Sequence, residues 1–234
     1  MGAPQPLTRD QAERWLVRLG PEGMLAALSP HLTDERRERI EQVLGNRLGR
    51  LTVVVENLHD PHNGAAAVRS AEAVGLQDFH AICEREPFRM ARGITMQCER
   101  WMDLHLHGQR EDGYRRLREL GFGIYVADPG AGMTVEELPS DRPMALVFGS
   151  ERDGLTKEAI RESDGGFAIP MHGFTGNFNL SVSVALSVHR VAERVRAWLG
   201  RPGDLPSERV ERLRALWYGL SVRAAEQILR RWQP

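Results

Sequence analysis

Hydrophobic and polar positions change period several times along this chain. Leu51–Glu56 reads LTVVVE, an apolar β-branched run of strand length, and predicts a strand. Similar runs at 78–82, 123–127 and 144–148 predict three more. Residues 101–106 alternate like a strand, and 167–169 form a short one. Helical periods fill the gaps. Residues 63–74 are Ala-rich and stopped by Gly75. Residues 111–120 are amphipathic, 156–163 form a short helix and 180–199 a long one. Residues 84–100 follow no period. Strands alternating with helices predict an α/β fold, a mostly parallel sheet flanked by helices.

Both ends are helical instead. Thr8 is placed to cap a helix near 9–19, with Trp15, Leu16 and Leu19 on one face. Thr33 is placed to cap another over 34–48, carrying Ile40, Val43 and Leu44. After the break at Arg201-Pro-Gly-Asp, residues 206–217 and 221–231 read as basic helical pieces. The expected division is an N-terminal helical extension (1–50), a central α/β domain (51–200) and a C-terminal helical extension (201–234).

Charge adds a little. The net charge of −1 excludes a uniformly basic nucleic-acid binder. Residues 201–234 nevertheless carry seven Arg against four acids, while 51–200 carry sixteen basic and twenty-one acidic residues. Lys157 is the one lysine, and an Arg excess suits phosphate forks, or else reflects genome composition. The two cysteines, Cys83 and Cys98, form no CxxC pair, so neither a disulfide framework nor a zinc site is expected, and a cytoplasmic setting is. No apolar run reaches membrane-spanning length, so no membrane association is expected. The N-terminus is too polar for a signal peptide.

Candidate chemistry gathers in three loops, each leaving a predicted strand and entering a helix. Open α/β sheets place ligands at such strand ends. The first loop runs from Glu56 to Arg69; Asn63 is placed to cap the next helix, and Arg69 lies six residues on. At 3.6 residues per turn those two share no face unless Asn63 stands outside the regular helix. Arg69 alone reads equally as a solvated helix charge. The second loop, Gly149-Ser-Glu-Arg-Asp-Gly-Leu155, follows an apolar strand, and its glycines allow close approach to backbone. Glu151 is either a partner-holding carboxylate or incidental to the turn. In the third loop Asn177, Asn179 and Ser181 alternate with apolar residues; the plain reading is an N-cap at Asn179 or Ser181. His59, His62 and His172 fit no standard metal-ligand spacing, so no metal is expected. There is no GxGxxG after the first strand, no P-loop and no GxSxG.

Taken in order, these loops resemble the three motifs of the SpoU (TrmH) family of RNA ribose 2′-O-methyltransferases in the SPOUT superfamily. The resemblance covers about 51–199. It rests on Asn63-x-x-Ala66-x-x-Arg69 with Gly75, on Phe148-Gly-x-Glu151-x-x-Gly154-Leu155, and on Ile169-Pro-Met-x-Gly173 through Asn179-x-Ser181-Val182. Residues 213–231, with Trp217 and Ser221-Val-Arg223, resemble the tRNA-binding extension of the TrmH subgroup, which methylates the ribose of guanosine-18 in the tRNA D-loop. The resemblance implies a C-terminal deep trefoil knot, S-adenosylmethionine held by its loops, a homodimer completing the site across its interface, and a tRNA partner. It implies a central role for Arg69, with Asn63, Glu151, Asn179 and Asn177 around it. Backbone near Gly149, Ile169, Met171 and Leu180 is implied to hold the cofactor. Asn177 stands where the family usually has Ser, and Phe178 where it usually has Leu.

The implied reaction is attack of a ribose 2′-oxygen on a sulfonium methyl. A guanidinium stays protonated, so Arg69 reads as a holder of phosphate and a stabiliser of the developing alkoxide rather than as a base. Two other readings stand beside this one: 2′-O-methylation of ribosomal RNA by the same fold, and a non-catalytic RNA-binding module. The tRNA-type tail and the intact polar residues of the motifs weigh against them. The tail has a plainer reading too, as an element that simply packs on the core, with Trp217, Leu220 and Leu229 as its apolar face.

Overall fold

The computed structural model of the chain describes residues 5–85, 87–91 and 93–233, so Glu86 and Arg92 of the aperiodic stretch lie outside the described residues. The backbone divides into two compact units. One comprises residues 48–202; the other joins residues 1–47 to 203–234.

The 48–202 unit is built on a parallel sheet. Its strands are β1 (Leu51–Glu56), β2 (Asp78–Ile82), β3 (Asp103–His107), β4 (Gly123–Ala127), β5 (Met133–Thr134), β6 (Met144–Phe148) and β7 (Gly165–Ala168). Their spatial order is β3-β2-β1-β6-β4-β7-β5, and every pairing is parallel. The period-2 alternation of side chains explains why the central strands are apolar throughout. Leu51, Val53 and Val55 of β1 join a core layer with Ala67, Val68 and Ala71. Those alanines belong to α3 (Pro61–Val74). The same layer takes Val184, Val188, Val191 and Val195 of α6 (Leu180–Leu199). Val54 points to the other face, among Tyr114 and Leu117 of α4 (Arg110–Glu119), Ala159 of α5 (Lys157–Glu162), and Ile124 and Val147 of the sheet. Each face is covered by helices, so each residue of β1 is buried.

Strands β1, β2, β4 and β6 fall where the sequence places them. The strand expected over 101–106 is β3, shifted because residues 98–101 coil into a short 3₁₀ turn. The strand expected over 167–169 begins earlier, at Gly165. Strand β5 has two residues, too few to register as a period.

In the other unit, α1 (Arg9–Leu28) runs past the expected end at 19. Gly20 takes φ 68°, a left-handed value natural to glycine, and Pro21 then starts a second helical stretch on a new axis. Thr8 caps the first stretch in a box with Gln11, and Thr33 caps α2 (Asp34–Gly45). Helix α7 (Ser207–Ser221) lies against α1: Leu7 N–H donates to the Gly219 carbonyl at 3.1 Å, and a side chain at Gly219 would press on Leu7, Met24 and Ala12. Trp217, Leu220 and Leu229 are each 2% exposed. The apolar face expected of the tail is therefore buried, and the surface it meets is α1, part of the same unit. Arg212 pairs with Glu13 at 2.6 Å, and Arg214 forks onto both oxygens of Glu41 at 2.6 and 2.8 Å. The final helix is α8 (Ala225–Arg231).

Candidate active site

The C-terminal ends of β4, β6 and β7 converge on one cavity of about 470 Å³. Its walls are the turn after β4 (Ala127, Asp128, Pro129), the β6–α5 loop (Phe148 to Leu155), Ile169 and Met171 after β7, and the entry to α6 (Asn177 to Leu180, and Ser183). Gly149, Ile169, Met171 and Leu180, the four positions implied for the cofactor, all line it. So do Glu151, Asn177 and Asn179, whereas Asn63 and Arg69 do not.

Backbone geometry explains the glycines. The β6–α5 loop folds back on itself: Ser150 N–H donates to the Gly154 carbonyl at 3.1 Å, and Gly154 N–H returns the bond at 3.0 Å. Gly154 has φ 68°, again left-handed. A Cβ on Gly149 would overlap the backbone of Gly154 and Leu155, so no other residue fits there without moving the loop. The loop is anchored beneath by Thr156, which caps α5 and donates its hydroxyl to Glu56 at 2.9 Å. Burial pushes the Glu56 carboxyl above the usual carboxylate range, and the Thr156 bonds offset part of that.

Three predicted polar residues from three separate loops meet at the rim. Asn179 Nδ2 donates to Asn63 Oδ1 at 3.1 Å, and Asn63 Nδ2 donates to Glu151 Oε1 at 2.5 Å. Asn63 is buried, while Glu151 and Asn179 face solvent. Asn63 does not cap α3, contrary to expectation. Asp60 does, accepting from His62 N–H at 2.8 Å, with Pro61 in the first helical position where its missing N–H costs nothing. Asn63 thus lies inside α3, and helical rotation turns Arg69 away from it. Arg69 is exposed and donates to the Ile94 carbonyl at 3.3 Å. The N-cap reading of Asn179 holds, on a different atom from its bond to Asn63: its Oδ1 accepts from Ser181 N–H at 2.9 Å and from the Ser181 hydroxyl at 2.6 Å.

Of the tempting histidines, His59 lies 3.7 Å from Asp153 and His62 3.1 Å from Asp60. Among the described residues no cluster of three or more His, Cys, Asp or Glu is placed to hold a metal ion, and no helix is long and apolar enough to cross a membrane. Asp128 and Pro129 are cavity residues that sequence reading missed. Their signal was an Asp-Pro-Gly turn directly after a strand, the same design as the other loops.

A parallel α/β sheet with a mixed polar and apolar cavity at its strand ends, roofed by glycine-cut loops, defines a protein that holds a small molecule against backbone. The family is specific: the chain belongs to the SpoU rRNA Methylase family, whose model matches residues 50–189. It is 33% identical to the tRNA (guanosine(18)-2′-O)-methyltransferase of Thermus thermophilus over 79% of this chain and 96% of that one. Its fold is similar to that of a TrmH/SpoU tRNA modifying enzyme of A. aeolicus (TM-score 0.71, 25% identity, 79% of this chain and 95% of that one). An AdoMet-bound rRNA methyltransferase from Sinorhizobium meliloti shares the fold at TM-score 0.57 and 21% identity, over 64% of this chain and 58% of that one.

Proposed function

We propose that this chain transfers a methyl group from S-adenosylmethionine to the ribose 2′-hydroxyl of guanosine-18 in the tRNA D-loop. The observation that carries the reading is the Asn179–Asn63–Glu151 chain on the rim of a cavity built by the other two motif loops. Relatives named for that tRNA reaction, matched over most of both chains, support the substrate.

The cavity fits the donor. Its volume lies in the range of about 300–1,000 Å³ usual for such ligands. Ile169, Met171, Leu155 and Leu180 offer apolar walls to a purine, Gly149 admits close backbone approach, and Asp128 and Glu151 offer carboxylates to a cationic ligand. Bound there, S-adenosylmethionine supplies a methyl on a sulfonium, whose departure needs no acid. What remains for the protein is positioning the ribose while its proton passes to the neighbouring phosphate or to a water. Glu151, Asn63 and Asn179 order the rim against which the ribose lies. Arg69 holds the neighbouring phosphate and stabilises the oxygen as charge develops on it.

Arg69 lies outside the cavity lining of its own chain, which supports its serving the cavity of a second copy in a homodimer. Phe174, Phe178, Val182 and Leu186 are exposed apolar residues on and just before α6, beside the cavity, and suit such an interface. We further propose the trefoil knot. Strand β6 lies between β1 and β4, and the chain leaves β7 on the far side of β4 yet returns to pack α6 against the layer of β1 and α3. The helices beyond residue 202 are proposed to contact tRNA, in a cytoplasmic enzyme.

The test is methyl transfer from radiolabelled S-adenosylmethionine to a tRNA transcript, with the product mapped by nuclease digestion. Label on the ribose of a D-loop guanosine is the expected result. Label on ribosomal RNA alone would move the substrate, and none on either would sink the reaction.

A further inference from the structure

Three carboxylates line the donor cavity, and two of them already face protein groups. Glu151 accepts from Asn63 at 2.5 Å, and Asp153 lies 3.7 Å from His59 and 3.9 Å from Arg85. Asp128 is different. It follows β4 directly and is half-buried. Its N–H donates to the Phe167 carbonyl of β7 at 2.9 Å, and its own carbonyl accepts from Ala131 N–H at 3.0 Å. Its Oδ1 accepts from Gly130 N–H at 2.9 Å. Backbone and side chain are thus both pinned, while Oδ2 makes no hydrogen bond or ion pair among the described residues. An ionised carboxylate only accepts, so that oxygen calls for a donor from whatever fills the cavity. None of the three motif loops contains Asp128.

Strand order says which group supplies it. Strands β1, β6, β4 and β7 stand side by side, about 4.8 Å apart. The rim residues Asn63 and Glu151 follow β1 and β6, so the methyl to be transferred belongs at that end. Ile169 and Met171 follow β7 at the other end and offer an apolar wall to the purine. Asp128, after β4, stands between them. In S-adenosylmethionine the group between purine and sulfonium is the ribose, with two neighbouring hydroxyls. We infer that Asp128 accepts hydrogen bonds from the ribose hydroxyls of the methyl donor, and so selects for a donor that carries them. This assignment rests on the donor proposed above. Carboxylates take ribose hydroxyls in the same way at the strand ends of dinucleotide-binding sheets. The contacts implied by the family resemblance are backbone ones, near Gly149, Ile169, Met171 and Leu180; Asp128 adds a side chain that reads the sugar. Its negative charge suits a cationic ligand anywhere in the cavity, but only contact makes the hydroxyls count.

The test is titration calorimetry of the full-length chain, Asp128→Asn and Asp128→Ala. The ligands are S-adenosylmethionine, S-adenosylhomocysteine, 5′-methylthioadenosine and the 2′,3′-dideoxy form of the last. Asp128→Asn keeps an acceptor for Gly130 N–H and replaces only the free oxygen, so the turn stays in place. Both variants should lose about tenfold or more in affinity for the first three ligands, the usual worth of a hydrogen bond to a charged group. The dideoxy compound should bind parent and variants alike, because it lacks the partner of Asp128. Loss for S-adenosylmethionine alone would put the sulfonium against Asp128. Loss for it and S-adenosylhomocysteine, but not for methylthioadenosine, would put the ammonium there. Either result overturns the ribose contact. So does a loss that persists in full with the dideoxy compound, which marks a displaced loop, and so do variants with parental affinities throughout. A parent that binds the first three ligands as expected, yet methylates no RNA, would sink the reaction and keep the contact. A parent that binds none of the four sinks the donor reading and this contact with it.

Discussion

Replacing Gly149 by alanine puts the architecture of the cavity under direct test. The added methyl would overlap the carbonyl carbon and oxygen of Gly154 and the nitrogen of Leu155, all backbone atoms that cannot rotate aside. Relief requires the β6–α5 loop to swing outward by about an ångström, given ordinary carbon contacts of about 3.5–4.0 Å. That motion separates Ser150 from Gly154 and breaks two hydrogen bonds, of 3.1 and 3.0 Å. At about 0.5–1.5 kcal/mol each, their loss costs about 1–3 kcal/mol. Residual overpacking adds about 1–3 kcal/mol. A chain of this size should then melt about 5 °C or more below the parent. The displaced loop is also a wall of the donor cavity, so S-adenosylmethionine affinity, measured by titration calorimetry, should fall at least about tenfold, which corresponds to about 1.4 kcal/mol. Gly108→Ala is the control, since nothing lies within 4 Å of its added carbon. A Gly149→Ala protein with the parent's melting temperature and donor affinity would refute the close-approach argument.

Arg69→Lys should lower methyl transfer by about 10²–10³-fold with donor affinity unchanged, and near-parental turnover would remove the forked phosphate contact. Asn177→Ser shortens a polar side chain of the cavity lining and should lower kcat/KM about fivefold by withdrawing it from what binds there; a rise would mean that the asparagine handicaps the site. Leu186→Glu should convert a dimer to a monomer in sedimentation analysis, whereas an unchanged sedimentation coefficient would place any interface elsewhere. Burial, then the charge of His105, lowers the pKa of His80 to about 3, against an ordinary 6.5. Between those values the unfolded chain binds a proton that the fold refuses, so this contribution is intact above pH 6.5 and is lost as pH falls. From pH 7 to 5 the parent should lose about 2 kcal/mol more stability than His80→Gln in urea unfolding; equal losses would exclude His80 as the cause.

What was legible in the sequence followed from physics that acts locally. Strands β1, β2, β4 and β6 are central and covered on both faces, which forces unbroken apolar runs bounded by turns. Edge strand β5 has no such signature, because two half-buried residues carry no period. Helix α1 was read short because Gly20-Pro21 does interrupt helical geometry; that a second turn resumes beyond it depends on Met24, Ala27 and Leu28 being buried, a tertiary fact. The union of both chain ends in one unit was invisible for the same reason. Among site residues, those held by backbone shape were legible through their glycines. Asn63 was misplaced as a cap because Asp60 and Asn63 both favour helix starts, and the choice between them turned on Pro61. Arg69 was legible as a motif member, and its separation from Asn63 followed from helical rotation alone.

The rim network also shows why an amide stands at position 179, where a carboxylate would cap the helix equally well. The chain of bonds has a direction set at one end. Glu151, when ionised, accepts and cannot donate, so the Asn63 group facing it must be the NH₂. The Asn63 oxygen then faces Asn179, so Asn179 must present its own NH₂ there. That leaves the Asn179 oxygen for Ser181 N–H, the bond that starts α6. One carboxylate on the β6–α5 loop therefore fixes both amide orientations and couples them to the N-terminus of a helix that belongs to another loop. Aspartate at 179 would serve the helix as well, since both residues are strong N-caps. It would also set two acceptors against each other across the contact with Asn63. Cap chemistry alone cannot distinguish the two residues at this position; the polarity of the link to Glu151 does.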